Sequence, residues 1–244
     1  MSRRVLGWLI SGAGLAAGAA LWEVAGRSVG AAFVAPLSDT IEAITPAVWR
    51  ALASSLVLFA AGFTLSVVVG VPFGLLLARV RLLRVALEGY IAFLNATPMA
   101  ALIPFILSMM GFGFAPKVLV VFLFAVFPVI YNTIEGARSI KPELLEVARS
   151  YRSSEWALWR EVMLPYTLPY AMTGVRQAIG RALVGMIAAE FFLSSTGLGQ
   201  LIMSASQNFD TGGVFASIFV IALIGIGLMR LGLVIERHFA RWRQ

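Results

Sequence analysis

EGARSIKPELLEVARSYRSSEWALWREVMLP, residues 135–165, is a polar interval in a chain that is otherwise strongly apolar. Pro142 with Glu143 beside it is a good helix start: proline lacks only a donor that would be unpaired there, and the acid suits the positive helix end. Leu144, Val147, Ala148 and Tyr151 then recur at spacings of three and four, which places one apolar stripe along a short helix. Ser153 and Ser154 before Glu155 offer a break and a new N-cap. Trp156, Trp159 and Met163 mark a second stripe, which Pro165 is expected to end. Two short helices joined by a polar corner can project into water to grip a partner. They can equally lie on a membrane surface, held by their arginines and tryptophans.

The sequence on either side excludes a soluble domain. Of 244 residues, 60% are hydrophobic and 13% charged, with a mean hydropathy of +0.90, whereas about a quarter of the residues in soluble domains are charged. The formal charge of +7 is spread between apolar runs and not gathered on a basic, aromatic-rich segment, so no nucleic-acid partner is expected. With no cysteine and one histidine, His238, disulfides, thiolate chemistry and His or Cys metal clusters drop out.

Runs near 5–25, 52–78, 89–110, 117–135, 170–193 and 214–235 approach the ~20 residues that cross a bilayer. The run behind Arg3 and Arg4 has the small residues of a signal-peptide cleavage region around Gly18, but its length favours a retained span. Six spans put both termini on one side. The segments with Arg3 and Arg4, with Arg79, Arg81 and Arg84, with Arg138, Lys141, Arg149, Arg152 and Arg160, and with Arg237, Arg241 and Arg243 share that side. They hold thirteen of the 19 Lys and Arg residues. Only Arg27, Arg50 and Lys117 fall opposite, so both termini and the long loop are expected in the cytoplasm.

The expected organisation is an N-terminal helix and extracytoplasmic segment over 1–50, a transmembrane domain over 51–236 with its loop at 136–168, and a short cytoplasmic tail over 237–244. Gly14 with Gly18, and Gly70 with Gly74, are spaced for close helix contact. Pro98 and Pro104, with Asn95 and Thr97 nearby, mark a broken helix of the kind that lines a solute route.

Pumping needs an energy source, and the G-x-x-x-x-G-K-[ST] phosphate loop is absent. The only lysines, Lys117 and Lys141, follow Pro116 and Ile140, so neither completes that motif. If ATP drives transport, another chain hydrolyses it.

Glu146-x-Ala148, then three residues, Arg152, nine residues and Val162-x-Leu164-Pro165 resembles the EAA loop of ABC importer permeases, E-A-A, three residues, G, nine residues, I-x-L-P. The spacing matches throughout. Val147 and Val162 are mild departures, and Arg152 in place of glycine is a sharp one. The resemblance covers roughly residues 50 to 236 and is closest to the nitrate, sulfonate and taurine branch, on Asn95-Ala96-Thr97-Pro98, Gly111-Phe112-Gly113, Arg176, Gly180-Arg181-Ala182-Leu183-Val184-Gly185, Ala189-Glu190-Phe191 and Gly197-Leu198-Gly199. It implies an all-α integral membrane protein of about six transmembrane helices with the type I importer permease fold, in the bacterial inner membrane among lipid. It also implies a second permease copy, two ABC ATPase subunits and an extracytoplasmic solute-binding protein. No cofactor would bind this chain, ATP and Mg belonging to the partner ATPase.

In this resemblance the loop is a coupling helix. Glu146 would pair with the ATPase, Ala148 would allow close approach, Tyr151, Arg152 and Ser153 would form the corner, and Leu164 and Pro165 would close the motif. The solute would be a small anion such as a sulfonate, taurine or nitrate, or else a pyrimidine or aromatic acid carried within the same branch.

Arg176, Arg181 and Glu190 share the fifth run, and an ionisable group inside the bilayer costs several kcal/mol unless paired or wetted. Nine residues at about 100° each put Arg181 and Glu190 on opposite faces. With Asn95 and Pro98, they either line the route or hold the bundle together. An ion-coupled secondary transporter using Arg181 and Glu190 is the competing reading.

Overall fold

The computed structural model describes residues 3–30, 33–193 and 195–240. The expected tail over 237–244 is therefore described only as far as residue 240. The described chain is helical with no strand, and it divides into two compact units, Met1–Ser54 with Thr196–Leu223, and Ser55–Ser195 with Ile224–Gln244.

The first unit holds α1 (Arg3–Val29), α2 (Leu37–Glu42), the start of α3 (Pro46–Arg79), α10 (Leu198–Gln207) and the start of α11 (Thr211–Ala240). Trp22 fixes α1: its ring meets Phe215 and Phe219 at 5.9 Å each and its indole N–H donates to the Ala35 carbonyl at 3.0 Å. Glu23 accepts from the Ser38 backbone N–H at 3.0 Å, supplying one of the orphan donors at the start of α2. Gly14 and Gly18 have no neighbour within 4 Å of where a Cβ would stand, so their spacing makes no helix contact in this chain.

The second unit carries the core. It contains the rest of α3, α4 (Arg81–Ala96), α5 (Ile103–Met110), α6 (Phe114–Arg138), α7 (Pro142–Ser150), α8 (Glu155–Ala157), α9 (Leu164–Leu193) and the rest of α11. Gly70 and Gly74 make the close approach expected of them: a Cβ there would lie 2.9 Å from Val129 Cγ1 and 2.8 Å from Thr133 Cβ of α6. Across α6, Gly174 of α9 sits where a Cβ would come within 2.7 Å of the Pro128 carbonyl. Leu58, Val121, Ala125, Val129, Ala178 and Ala182 fill the space between these three helices. Small residues let the backbones approach closely, and packing stands in for a hydrophobic driving force that lipid does not supply.

Among the described residues four helices, at Leu9–Val29, Pro46–Arg79, Phe114–Arg138 and Thr211–His238, are long and apolar enough to span. The third expected run is not one rod. Arg81–Ala96 and Met99–Met110 meet at 90°, because Pro98 pushes Thr97 to an extended ψ of 133° and a single 3-10 turn at Met99–Leu102 restarts the helix. α9 has 30 residues but carries Arg176, Arg181 and Glu190, and it falls outside that apolar set.

Pro165 does not end the second loop helix as expected. α8 runs through a π-turn at Leu158–Met163 directly into α9. The wider turn makes room for the proline ring, which would strike the carbonyl four residues back in a regular α-helix.

Candidate coupling loop and solute route

α7 begins at Pro142 and ends in a left-handed corner. Arg152 has φ +55°, and the Ser153 N–H bonds the Ala148 carbonyl at 3.2 Å. This six-to-one bond with a left-handed residue just before its donor is the Schellman arrangement, in which that residue is usually glycine. Arg152 thus takes the conformation glycine would take, at a steric cost of about 1–2 kcal/mol. After it, the Ser154 Oγ accepts from the Ala157 N–H at 3.2 Å, making Ser154 the N-cap that starts α8.

The stripe on α7 finds no cover among the described residues. Leu144, Val147 and Tyr151 are 43, 55 and 84% exposed, and Glu146 and Ser153 are exposed beside them, with Ala148 half-buried. Leu164 and Pro165 are exposed at the start of α9. The base of the loop is well held. The Tyr166 hydroxyl donates to the Ser139 carbonyl at 3.2 Å, and Leu158 and Ile140 are buried.

A clamp that sequence reasoning missed joins this loop to α3. The Arg79 guanidinium lies 5.3 Å over the Trp159 ring and 3.9 Å from a Glu155 carboxylate oxygen. The run of arginines after α3 signalled only membrane orientation; a partner some eighty residues away has no local signature.

The four candidate route residues are not brought together. Asn95 is half-buried and Pro98 exposed at the α4–α5 bend. Glu190 is 1% exposed and accepts from the Ser55 hydroxyl at 2.7 Å, so in this conformation it faces packed helices. Arg181 is exposed on the opposite face of α9, as the nine-residue step requires. Arg176 is paired: its Nε meets the Glu236 carboxylate of α11, whose other oxygen accepts from the Thr173 hydroxyl at 2.7 Å.

Long apolar helices carrying a firmly based, exposed helical loop are the architecture of an integral membrane protein. Residues 70–241 match the description "binding-protein-dependent transport system inner membrane component", and the chain belongs to that family. It is 32% identical to an aliphatic sulfonates transport permease of Bacillus subtilis over 92% of this chain and 84% of that one. A riboflavin transport permease of Chloroflexus aurantiacus is 37% identical over 68% of this chain, the match spanning 62% of that protein's length. A bicarbonate transport permease of Synechococcus elongatus is 34% identical over 80% of this chain and 68% of its own length. The fold is that of a chain of the MetNI methionine ABC transporter, with a TM-score of 0.63 at 19% identity over 79% of this chain and 94% of that one. The chain is accordingly a non-catalytic subunit with the type I ABC importer permease fold.

Proposed function

We propose that two copies of this chain form the solute route of an ABC importer in a bacterial inner membrane, with both termini and the α7–α8 loop in the cytoplasm. Two ATPase subunits grip the loops, and an extracytoplasmic binding protein delivers a small anion of the sulfonate, taurine or nitrate type. ATP draws the ATPases together, the loops travel with them, and the membrane helices exchange inward-open for outward-open packing.

The observation that carries this reading is the exposed stripe of Leu144, Val147 and Tyr151 on a helix fixed at both ends. Covering a large apolar side chain contributes about 1.5–3 kcal/mol, against ~1 kcal/mol or less for an exposed Glu146 ion pair. Docking then rests mainly on the stripe. The Arg79 clamp ties loop movement to α3. The anion reading draws support from the relatives named for sulfonates and bicarbonate, while the riboflavin relative makes a larger organic solute the alternative within the same mechanism.

The test is affinity purification of the detergent-solubilised chain from its native host, comparing wild type with a Glu146→Lys, Ala148→Asp double variant. An ATPase subunit held by wild type and lost by the variant supports the reading. A stable chain with no ATPase in either sample overturns it and favours an ion-coupled transporter.

A further inference from the structure

α9 treats its two arginines differently. Arg176 is matched by Glu236 and Thr173, whereas Arg181 has no hydrogen-bond or ion-pair partner among the described residues and stands on the exposed face. At about 1.5 Å per residue it lies about 18 Å from the Leu193 end of the helix and about 17 Å from the start of the apolar run at residue 170, too deep for easy snorkelling. A guanidinium facing hydrocarbon at that depth is strongly disfavoured, so the exposed face of α9 must meet water or protein.

The neighbouring Gln177 offers donors. Gln177, one turn away, is exposed, and Asn132 of α6 reaches its Oε1 at 3.5 Å while donating to the Pro128 carbonyl at 2.8 Å. That leaves the Gln177 amide N–H groups without a partner among the described residues. Glu190, the acid nearest in sequence, is buried on the opposite face, and Glu236 of α11 is taken by Arg176. Five guanidinium N–H groups and a primary amide, with no carboxylate paired to them among the described residues, suit an oxygen-rich anion such as a sulfonate, carboxylate or nitrate.

We propose that Arg181 and Gln177, the latter oriented by Asn132, form an anion-attracting wall of the solute route, open to water and faced by the same wall of a second copy of this chain. The proposal rests on the permease reading and adds to it the residues that select for negative charge. Gln177 and Asn132 carry no signal in the sequence, being ordinary amides in apolar runs. The α6–α9 crossing at Pro128 and Gly174 brings them together.

The chain has no cysteine, so one introduced thiol reports alone. Val184→Cys places it on the exposed face three residues beyond Arg181, where Val184 is 59% exposed, and Ile226→Cys serves as a comparator on α11, where Ile226 is 55% exposed. In native membranes with the transporter assembled, each is treated with methanethiosulfonates bearing either a sulfonate or a trimethylammonium group, nucleotide-free and vanadate-trapped. Rates are normalised to free cysteine. Val184→Cys is expected to react in at least one state, with the sulfonate reagent favoured about fivefold by the nearby fixed charge. Arg181→Gln in the same background should abolish that preference, Arg181→Lys should keep most of it, and Ile226→Cys should stay unreactive. No reaction at position 184 in either state overturns the wet wall. A reaction without charge preference, or a preference that survives Arg181→Gln, overturns the anion selection. ATPase co-purification, measured on the same membranes, reports separately on the permease reading.

Discussion

The α3–α6–α9 core and the α7–α8 loop stand in opposite relations to their surroundings. In the core, Gly70, Gly74 and Gly174 bring backbones together until no atom fits between them, and Val129 and Ala182 are wholly buried. In the loop, Val147 and Tyr151 are held out by a capped, strained corner with none of the described residues to cover them. One region is complete in a single chain. The other is held at its base and corner but left uncovered, as the proposed ATPase handle requires.

If that contrast is right, substitutions should separate stability from assembly. The largest effect is expected at the α6–α9 crossing. Gly174→Leu has no room against the Pro128 carbonyl, and overpacking against backbone costs about 3 kcal/mol or more, so the variant should be lost from the monodisperse fraction in detergent chromatography. Next comes Val147→Asp. It should leave the thermal midpoint unchanged, since exposed substitutions fall within about 0.5 kcal/mol, yet weaken ATPase binding at least tenfold in titrations with purified ATPase. A drop in stability matching the drop in binding would break the comparison.

Two smaller changes sharpen it. Ser55→Ala withdraws a 2.7 Å donor from buried Glu190, and an under-satisfied buried group costs about 1–3 kcal/mol. The thermal midpoint should fall while ATPase binding stays intact. Arg152→Gly should relieve about 1 kcal/mol at the left-handed corner, detectable as slower amide hydrogen exchange at Tyr151 to Ser154 with no change in the core. Unchanged or faster exchange there would mean that Arg152 is held by something stronger than its own backbone preference.

The sequence exposed local features far better than distant ones. Pro142, Ser154 and the spacing of Glu146, Ala148 and Arg152 each act within a turn or two, and the structure places helix start, N-cap and corner where they signal them. The break at Pro98 was legible as a break, but its 90° angle was not, because the angle depends on what α4 and α5 pack against. Pro165 misled because a proline's cost disappears when the turn before it widens, and nothing in the local residues announces a π-turn. Gly14 and Gly18 share the spacing of Gly70 and Gly74, yet only the second pair meets a neighbour. Spacing defines a smooth helix face without naming what covers it. The route was least legible of all: Arg181 and Glu190 stood out as charges, but Glu236 as partner to Arg176, and Asn132 beside Gln177, follow from helix crossings alone.

The most direct test of the unfinished loop is site-specific photocrosslinking in native membranes with benzoylphenylalanine at Val147, and at exposed Ile226 of α11 as the internal comparison. The expected result is a crosslink from position 147 to a protein identified by mass spectrometry as an ABC ATPase, strengthened when ATP hydrolysis is arrested, and no ATPase crosslink from position 226. A position 147 that crosslinks only to lipid would mean the loop lies on the membrane and grips nothing, contradicting the account.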